Sequence, residues 1–414
     1  MKLIINIKGL LPIVESDVKF VAGKGMCEVK TIENAYLLIE DGKIADFGKM
    51  DDKPEMSIDV IDVSGRYVLP AFCDSHTHIV YAGSREQEWI DKIRGLEYEE
   101  IYRRGGGILN SVECLRNTGE QELFDSATER LQIAMQYGTG AMEIKSGYGL
   151  SLESELKMLR VISRLKETSP VAIKATFLGA HAVPREFAGR QDEYVDYLIK
   201  EMLPAVAAER LADFIDVFCD KGFFTVGQTE RILEAAAKYG LRPKIHANEL
   251  DISGGVQVGV KCNALSVDHL ERIGDEEILA LKSSYGVCAG ASACGTMPTV
   301  LPGAAFFLNL PLSPVRAMID SGLPVALASD CNPGSSPSPN MQLVASMGCI
   351  RYNMLPEEVL YATTLNTAYA MGISDTHGSI TKGKAANLII TKPMSSFNYF
   401  AYSYGENKVE RLIL

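Results

Sequence analysis

The stretch Tyr67-Val68-Leu69-Pro70-Ala71-Phe72-Cys73-Asp74-Ser75-His76-Thr77-His78-Ile79 decides the reading of this chain. An apolar run of strand length ends in two imidazoles two positions apart, and side chains at i and i+2 of a strand leave the same face. At the carboxyl end of a strand in a closed parallel barrel, His76 and His78 point together into the mouth, where two neutral imidazoles hold a divalent metal. Alone, a His-x-His pair suits ordinary packed histidines just as well, so the remaining ligands have to be found.

Beyond residue 65 short β-rich runs alternate with longer amphipathic stretches such as Leu152 to Leu165 and Thr229 to Tyr239. The runs are Tyr67 to Asp74, Gly140 to Ile144, Val171 to Leu178, Asp213 to Cys219, Pro243 to Ala247, Ala264 to Asp268, Gly286 to Ala291 and Pro324 to Ser329. Eight such runs predict an α/β fold, a (β/α)8 TIM-type barrel over residues 65–379; an open doubly wound sheet follows from the same alternation. The first connection, residues 79 to 139, is long enough to hold extra helix. Residues 1–64 and 380–414 are instead rich in short strands. Asp41-Gly42-Lys43 has the chemistry of a tight hairpin turn, and Ala386 to Thr391 and Val409 to Leu414 read as strands. The termini are expected to form one small β-rich accessory domain beside the barrel.

The 414 residues carry 41 basic and 53 acidic side chains, a formal charge of -12, so no broad positive field is present for nucleic acid. Asn6 and Lys8 interrupt the apolar amino terminus before it reaches the length of a signal peptide core. No apolar run approaches the ~18 residues that span a bilayer, which predicts a soluble protein with no membrane partner; the cysteines predict a reducing cytoplasm. Nine cysteines, an odd number without a Cys-x-x-Cys pair, are expected to be free thiols.

Only six histidines occur. Five of them, His76, His78, His181, His246 and His269, fall at or just beyond the end of a predicted strand, and His377 lies in a late turn. Barrel strands present their carboxyl ends to one shared mouth, so the five converge. Asp330 closes the eighth run as Ala328-Ser329-Asp330. His76, His78, His246 and Asp330 make three nitrogens and one carboxylate, with room for a water. Glu249, three residues after His246, is placed to take a proton from that water. His269 is a candidate further ligand or the group that polarises the carbonyl under attack; the second role is preferred, since four ligands already suffice.

Several motifs give the chain a likeness. They are Asp74-Ser75-His76-Thr77-His78 with Ala82-Gly83-Ser84-Arg85, Gly105-Gly106-Gly107-Ile108, Glu143-Ile144-Lys145-Ser146-Gly147-Tyr148-Gly149-Leu150, and Thr176-Phe177-Leu178-Gly179-Ala180-His181-Ala182-Val183-Pro184. His246-Ala247-Asn248-Glu249, Asp268-His269-Leu270-Glu271 and Ser329-Asp330-Cys331-Asn332-Pro333-Gly334-Ser335-Ser336 follow in order. On these the chain resembles the imidazolonepropionase family of the metal-dependent amidohydrolase superfamily. The resemblance implies hydrolysis of the cyclic amide of 4-imidazolone-5-propanoate to N-formimidoyl-L-glutamate in histidine degradation. It implies one Zn²⁺ or Fe²⁺/Fe³⁺ per subunit, a homodimer, and substrate contacts from Arg85, Tyr148, His181, Glu249, Asn332, Gly334 and Ser335, with Asp330 sharing the base role of Glu249. Arg85 suits a propionate carboxylate because its planar fork makes two charge-assisted hydrogen bonds. The chain departs from the family at Ser84, where Asn is frequent, and at Asn248, where Asp is.

Three rivals stay open on the residues alone. A deaminase of a nitrogen heterocycle uses the same ligand pattern on an amidine carbon and releases ammonia. A two-metal ring-opening amidase needs a bridging carboxylated lysine, for which only position recommends Lys221 or Lys145. A metal-binding barrel without catalysis would lack a proton carrier, and Glu249, His269 and Asp330 are all present.

Overall fold

A computed structural model describes residues 1–96, 106–287 and 293–414. Two sheets organise them. Strands β1 (Lys2–Leu10), β2 (Ile32–Glu40), β3 (Lys43–Lys49), β4 (Asp59–Asp62) and β5 (Tyr67–Pro70) join two strands from the other end of the chain, β16 (Leu388–Thr391) and β17 (Val409–Ile413), in the order β17-β16-β5-β1-β2-β3 with β4 beside β1. The β2–β3 turn pairs Glu40 with Lys43 across Asp41 and Gly42, which hold φ of 48° and 71°. Two consecutive left-handed residues are what a two-residue hairpin requires. Ile4, Ile7, Leu10, Leu37, Val68, Leu388 and Ile390 form this unit's own apolar core.

The second sheet is the barrel. Its strands are β6 (Phe72–Thr77), β7 (Thr139–Lys145), β8 (Ala172–Ala180), β9 (Phe214–Cys219), β10 (Arg242–Ala247), β11 (Ser266–His269), β14 (Met297–Val300) and β15 (Ala326–Leu327), each parallel to its neighbour. Closure comes just past β15, where Asp330 N–H donates to His76 O at 3.0 Å and His78 N–H to Cys331 O at 2.9 Å. An open doubly wound sheet would leave those edges apart, so closure decides between the two topologies the alternation allowed. Amphipathic helices cover the outside, among them Leu152–Thr168 and Val226–Ala237. Helices Glu86–Ile93, Ile108–Asn117 and Glu120–Gln136 occupy the long first connection.

Three sequence expectations are corrected. The run Tyr67 to Asp74 is not one barrel strand: β5 pairs with β1 and β16, and only β6 enters the barrel. Ala71 alone lies between the two strands, and an uninterrupted apolar run hides the change of sheet. The seventh strand is Met297–Val300, paired with β11 and β15, and not Gly286 to Ala291. Of that run, Gly286–Val287 (β12) pairs antiparallel with Ala293–Cys294 (β13) off the barrel, and Cys288 to Ala291 lie outside the described residues. Pro298 obscured the true strand, because a proline cannot donate to a ladder and reads as a break. Finally, Cys294 is disulfide-bonded, against the expectation of free thiols throughout, whereas Cys27, Cys73, Cys114, Cys219, Cys262, Cys331 and Cys349 are free.

Strand alternation places the chemistry. Met142, Ile144, Ile215, Val217, Ile245 and Val267 join the apolar core, while their neighbours Glu143, Lys145, Asp216, Lys244, His246 and Asp268 point the other way and meet one another. Barrel interiors are usually filled with branched apolar side chains. Here a buried charged layer sits beneath the mouth.

Candidate active site

Four of the five strand-end histidines surround one point. His76 Nε2 lies 3.1 Å from His246 Nε2 and 3.4 Å from His78 Nε2. Asp330 Oδ1 is 3.6 Å from both His76 Nε2 and His78 Nε2. Four ligands at about 2.1 Å from a common ion in tetrahedral geometry stand about 3.4 Å apart, so the spacing fits a single first-row cation. Ligand atoms of His76, His78 and Asp330 lie within 4.8 Å of one another, as do those of His76, His246 and His269.

The ring orientations support that fit. His76 Nδ1 contacts Asp268 Oδ2 at 2.6 Å, which assigns the proton to Nδ1 and leaves a bare lone pair on Nε2. His246 Nδ1 likewise faces Asp216 Oδ2 at 3.0 Å. Two lone pairs aimed at each other repel unless a cation lies between them. Burial and neighbouring positive groups push His76 and His78 well below the ordinary imidazole range, so both stay neutral as ligands must. Imidazole nitrogen with one carboxylate suits zinc and iron among other first-row ions.

Glu249, His269 and Glu271 form a second group beside the first. His269 Nδ1 lies 3.7 Å from Glu249 Oε2 and 3.7 Å from Glu271 Oε2. Burial alone would depress this imidazole, but the two carboxylates outweigh it and raise His269 to about 10. Burial raises Glu249 to about 7, helped by Glu271 and Asp330 and opposed by His269. The result is a proton-carrying imidazole beside a carboxyl poised near neutrality, a pairing suited to acid–base work. His269 and Leu270 hold φ of 87° and 70°, and Asn248 and Asp330 hold 56° and 52°. Left-handed backbone at these four residues bends the strand ends, and two of them, His269 and Asp330, line the mouth. Asn248 departs from the family's frequent Asp at no backbone cost, since Asn tolerates this conformation.

A cavity of about 500 Å³ opens over these groups, lined among others by His78, Arg85, Lys92, Tyr148, His181, Phe218, Lys221, His246, Glu249, His269, Asp330, Asn332, Gly334 and Ser335. Every residue expected to bind substrate therefore borders the same space. His181 stacks on His78 with centroids 5.3 Å apart, and its Nδ1 is fixed by Gly147 O at 3.0 Å. Burial lowers the His181 imidazole to about 3, so it is neutral where it lines the cavity. Gly147, at φ 109°, leaves no room for a side chain because a Cβ would press on His181 Nδ1 at 2.9 Å.

Arg85 is held by Glu88 Oε2, which accepts from Nε at 3.0 Å and Nη2 at 2.8 Å. Its remaining terminal nitrogen, Nη1, packs where a Cβ on Gly334 would stand. Gly334→Ala is therefore expected to displace the guanidinium and lower kcat/KM roughly 10- to 100-fold. Steady-state kinetics should show most of that loss in KM; an unchanged KM would separate Arg85 from substrate binding. Asn332 spends its amide on its own loop, accepting from Gly334 N and Ser335 N at 2.8 Å each and donating to Asp330 O and Ser335 Oγ at 2.7 Å each. It thus shapes the turn that carries Gly334 and Ser335 beside Asp330.

Sequence reading missed several residues of this site. Asp220 accepts from Glu249 N at 2.7 Å, Leu250 N at 2.9 Å and Asp251 N at 3.2 Å, and so fixes the loop that presents Glu249. Its place just past β9, at the barrel mouth, was the available signal. Glu271 stood in a quoted motif without a role. Lys221 is exposed and paired with Asp251 at 2.8 Å. Lys145 is fully buried between Glu143 at 2.6 Å and Asp216 at 2.8 Å, a pairing that leaves it no freedom to bridge two metals. Of the Gly105-Gly106-Gly107 run, Gly105 lies outside the described residues, and Gly107 N–H donates to Glu88 Oε1 at 3.0 Å.

Barrel, histidine cluster and carboxylates together define the class. A model of the Amidohydrolase family matches residues 67–410. The imidazolonepropionase of Flavobacterium johnsoniae is 53% identical over 413 residues, covering 100% of this chain and 98% of that protein. The imidazolonepropionase of Geobacillus kaustophilus is 42% identical over 394 residues, covering 94% and 90%. The chain belongs to the amidohydrolase family and, within it, to the imidazolonepropionases. Among solved structures, a 5-methylcytosine deaminase from Klebsiella pneumoniae liganded with phosphonocytosine superposes with a TM-score of 0.70 at 16% identity, covering 98% of this chain and 96% of that one. An adenosine deaminase from Xanthomonas campestris with bound zinc gives 0.68 at 15% identity, covering 100% and 91%. At such identities these two speak for the fold alone. Among the described residues no helix is long and apolar enough to cross a membrane.

Proposed function

We propose that this chain hydrolyses the cyclic amide of 4-imidazolone-5-propanoate to N-formimidoyl-L-glutamate, the ring-opening step of histidine degradation. The observation that carries the reading is identity of 53% to an imidazolonepropionase along the whole chain. One Zn²⁺ or Fe²⁺/Fe³⁺ per subunit, held by His76, His78, His246 and Asp330, would supply Lewis acidity to water and to the substrate carbonyl.

The chain's own residues do the rest. Arg85 grips the propionate carboxylate with Nη1, the nitrogen that Glu88 leaves free. Tyr148 and His181 pack against the ring from the His78 side, where the rings of His78, Tyr148 and His181 already lie 5.3 to 5.9 Å apart. Water oxygen bonds to the lactam carbonyl carbon and Glu249 Oε2 takes the proton it releases. His269 donates toward the carbonyl oxygen as charge builds there, help whose removal commonly costs about 100-fold or more. The carbon–nitrogen bond then breaks and Glu249 returns its proton to the departing ring nitrogen. Asp330 shares the base role through its second oxygen, and Gly334 and Ser335 border the glutamate end of the product.

Seven free thiols outnumber the disulfide-bonded Cys294 and support a reducing cytoplasm, and the family likeness supports a homodimer, which sedimentation equilibrium of the purified chain tests. The activity itself is tested by supplying freshly generated imidazolone propionate to metal-replete protein. Loss of its ultraviolet absorbance with stoichiometric formimidoylglutamate is expected. Release of ammonia from a heterocycle without that product would turn the reading toward a deaminase.

A further inference from the structure

Beneath the histidines lies the charged layer for which the mechanism above has no use. Glu143, Lys145, Asp216, Lys244 and Asp268 are all fully buried. Lys145 Nζ donates to Glu143 Oε1 at 2.6 Å and Asp216 Oδ2 at 2.8 Å, and stands 3.8 Å from Asp268 Oδ2. Lys244 Nζ bonds to Glu143 Oε2 and to Ser75 O at 3.0 Å, with Asp268 Oδ2 at 4.0 Å. Burying five charges is costly unless each finds partners, so a barrel that needed only a packed interior would fill this space with branched apolar side chains.

The layer is directional. Asp216 accepts the His246 N–H at 3.1 Å through Oδ1 and shares Oδ2 between Lys145 and the His246 ring, whose Nδ1 is 3.0 Å away. Asp268 turns Oδ2 to His76 Nδ1 at 2.6 Å. Three carboxylates against two ammonium groups leave one negative charge directly under the point where His76 Nε2 and His246 Nε2 meet. Outer partners of this kind fix the tautomer and the aim of a ligating imidazole, and their loss typically weakens metal binding 10- to 100-fold.

We propose that Asp216 and Asp268 are positioning residues of the cation site, anchored by Lys145, Lys244 and Glu143 so that His246 and His76 present bare Nε2 atoms to one ion. The inference rests on the cation site of the proposed function but is independent of the substrate. Two variants test it. Asp268→Asn keeps the shape but replaces the anionic acceptor of His76 Nδ1 by a neutral amide, which loosens the hold on the tautomer and aim of the ring. The double variant Lys145→Met with Asp216→Asn removes one charge of each sign, leaving the layer's net charge unchanged, so any effect comes from lost orientation and not from a changed field.

Zn²⁺ affinity is measured by competition with a chromophoric chelator, Co²⁺ visible absorption reports ligand geometry, and thermal unfolding of the metal-free proteins reports the fold. The expected result is 10- to 100-fold weaker Zn²⁺ binding and altered Co²⁺ bands in both variants, with the unfolding transition of the double variant cooperative. If Asp268→Asn does not fold, the double variant alone decides. Folded variants that bind Zn²⁺ within about threefold of the unaltered chain, with unchanged Co²⁺ bands, overturn the proposal. Failure of the unaltered chain to bind Zn²⁺ or Co²⁺ at all would instead remove the cation site, and this proposal with it.

Discussion

Glu249→Gln is expected to keep its metal and lose turnover by about 10²- to 10⁴-fold, the range over which a positioned proton carrier contributes. The amide has the shape of the acid, and Glu249 N–H stays bonded to Asp220 at 2.7 Å, so the loop that presents residue 249 is unaffected. What disappears is the oxygen that can accept a proton. His269, 3.7 Å from that oxygen, loses one of its two carboxylate neighbours but keeps Glu271 at 3.7 Å. The effect should therefore fall on kcat with little change in KM or in metal content, as single-turnover kinetics and elemental analysis would record. Turnover within a few fold of the unaltered enzyme would place the proton carrier elsewhere, and Asp330 would be the next candidate.

Asp330→Asn should act one step earlier, on the cation. Asp330 sits at φ 52° and its main-chain N–H closes the barrel on His76 O at 3.0 Å. Asn adopts that left-handed backbone as readily as Asp does, so the closure survives and the metal-free protein should unfold close to the normal temperature. The proposed cation site, however, loses its one carboxylate, 3.6 Å from both His76 Nε2 and His78 Nε2. Metal affinity should drop by more than about 100-fold, beyond what outer-sphere changes cause, and turnover should vanish at limiting metal. Asp330→Ala would add about 1–3 kcal/mol of backbone strain at the same position, and a lowered unfolding temperature in Ala but not in Asn would separate the two roles. Full metal content and activity in Asp330→Asn would contradict the assigned ligand set.

The strands that carry the clustered histidines were legible because each ends in a side chain whose type is rare in this chain. Six histidines and their spacing against apolar runs located β6, β10 and β11 without any knowledge of how the chain turns. The turn at Asp41-Gly42 was legible for a local reason, since two left-handed residues need small or short polar side chains. The seventh strand was not, because Met297-Pro298-Thr299-Val300 looks like a break and a nearby run of small apolar residues looks like a strand. Only hydrogen bonding to β11 and β15 distinguishes them. The change of sheet at Pro70–Ala71 was hidden for a related reason: a strand buried on both faces is apolar throughout, whichever sheet it serves.

By itself the sequence determined which atoms are available: neutral imidazoles, one aspartate and one glutamate, each tied to the end of a strand through local spacing that no later folding step alters. Only the tertiary structure decided how they are supported. Glu143, Lys145, Asp216, Lys244 and Asp268 come from four strands spread over more than 120 residues, and no spacing in the sequence marks them as partners of one another. Barrel closure turns them inward and removes water from around them. Their charges must then be balanced by one another, which depends on distances in space that no spacing along the chain records.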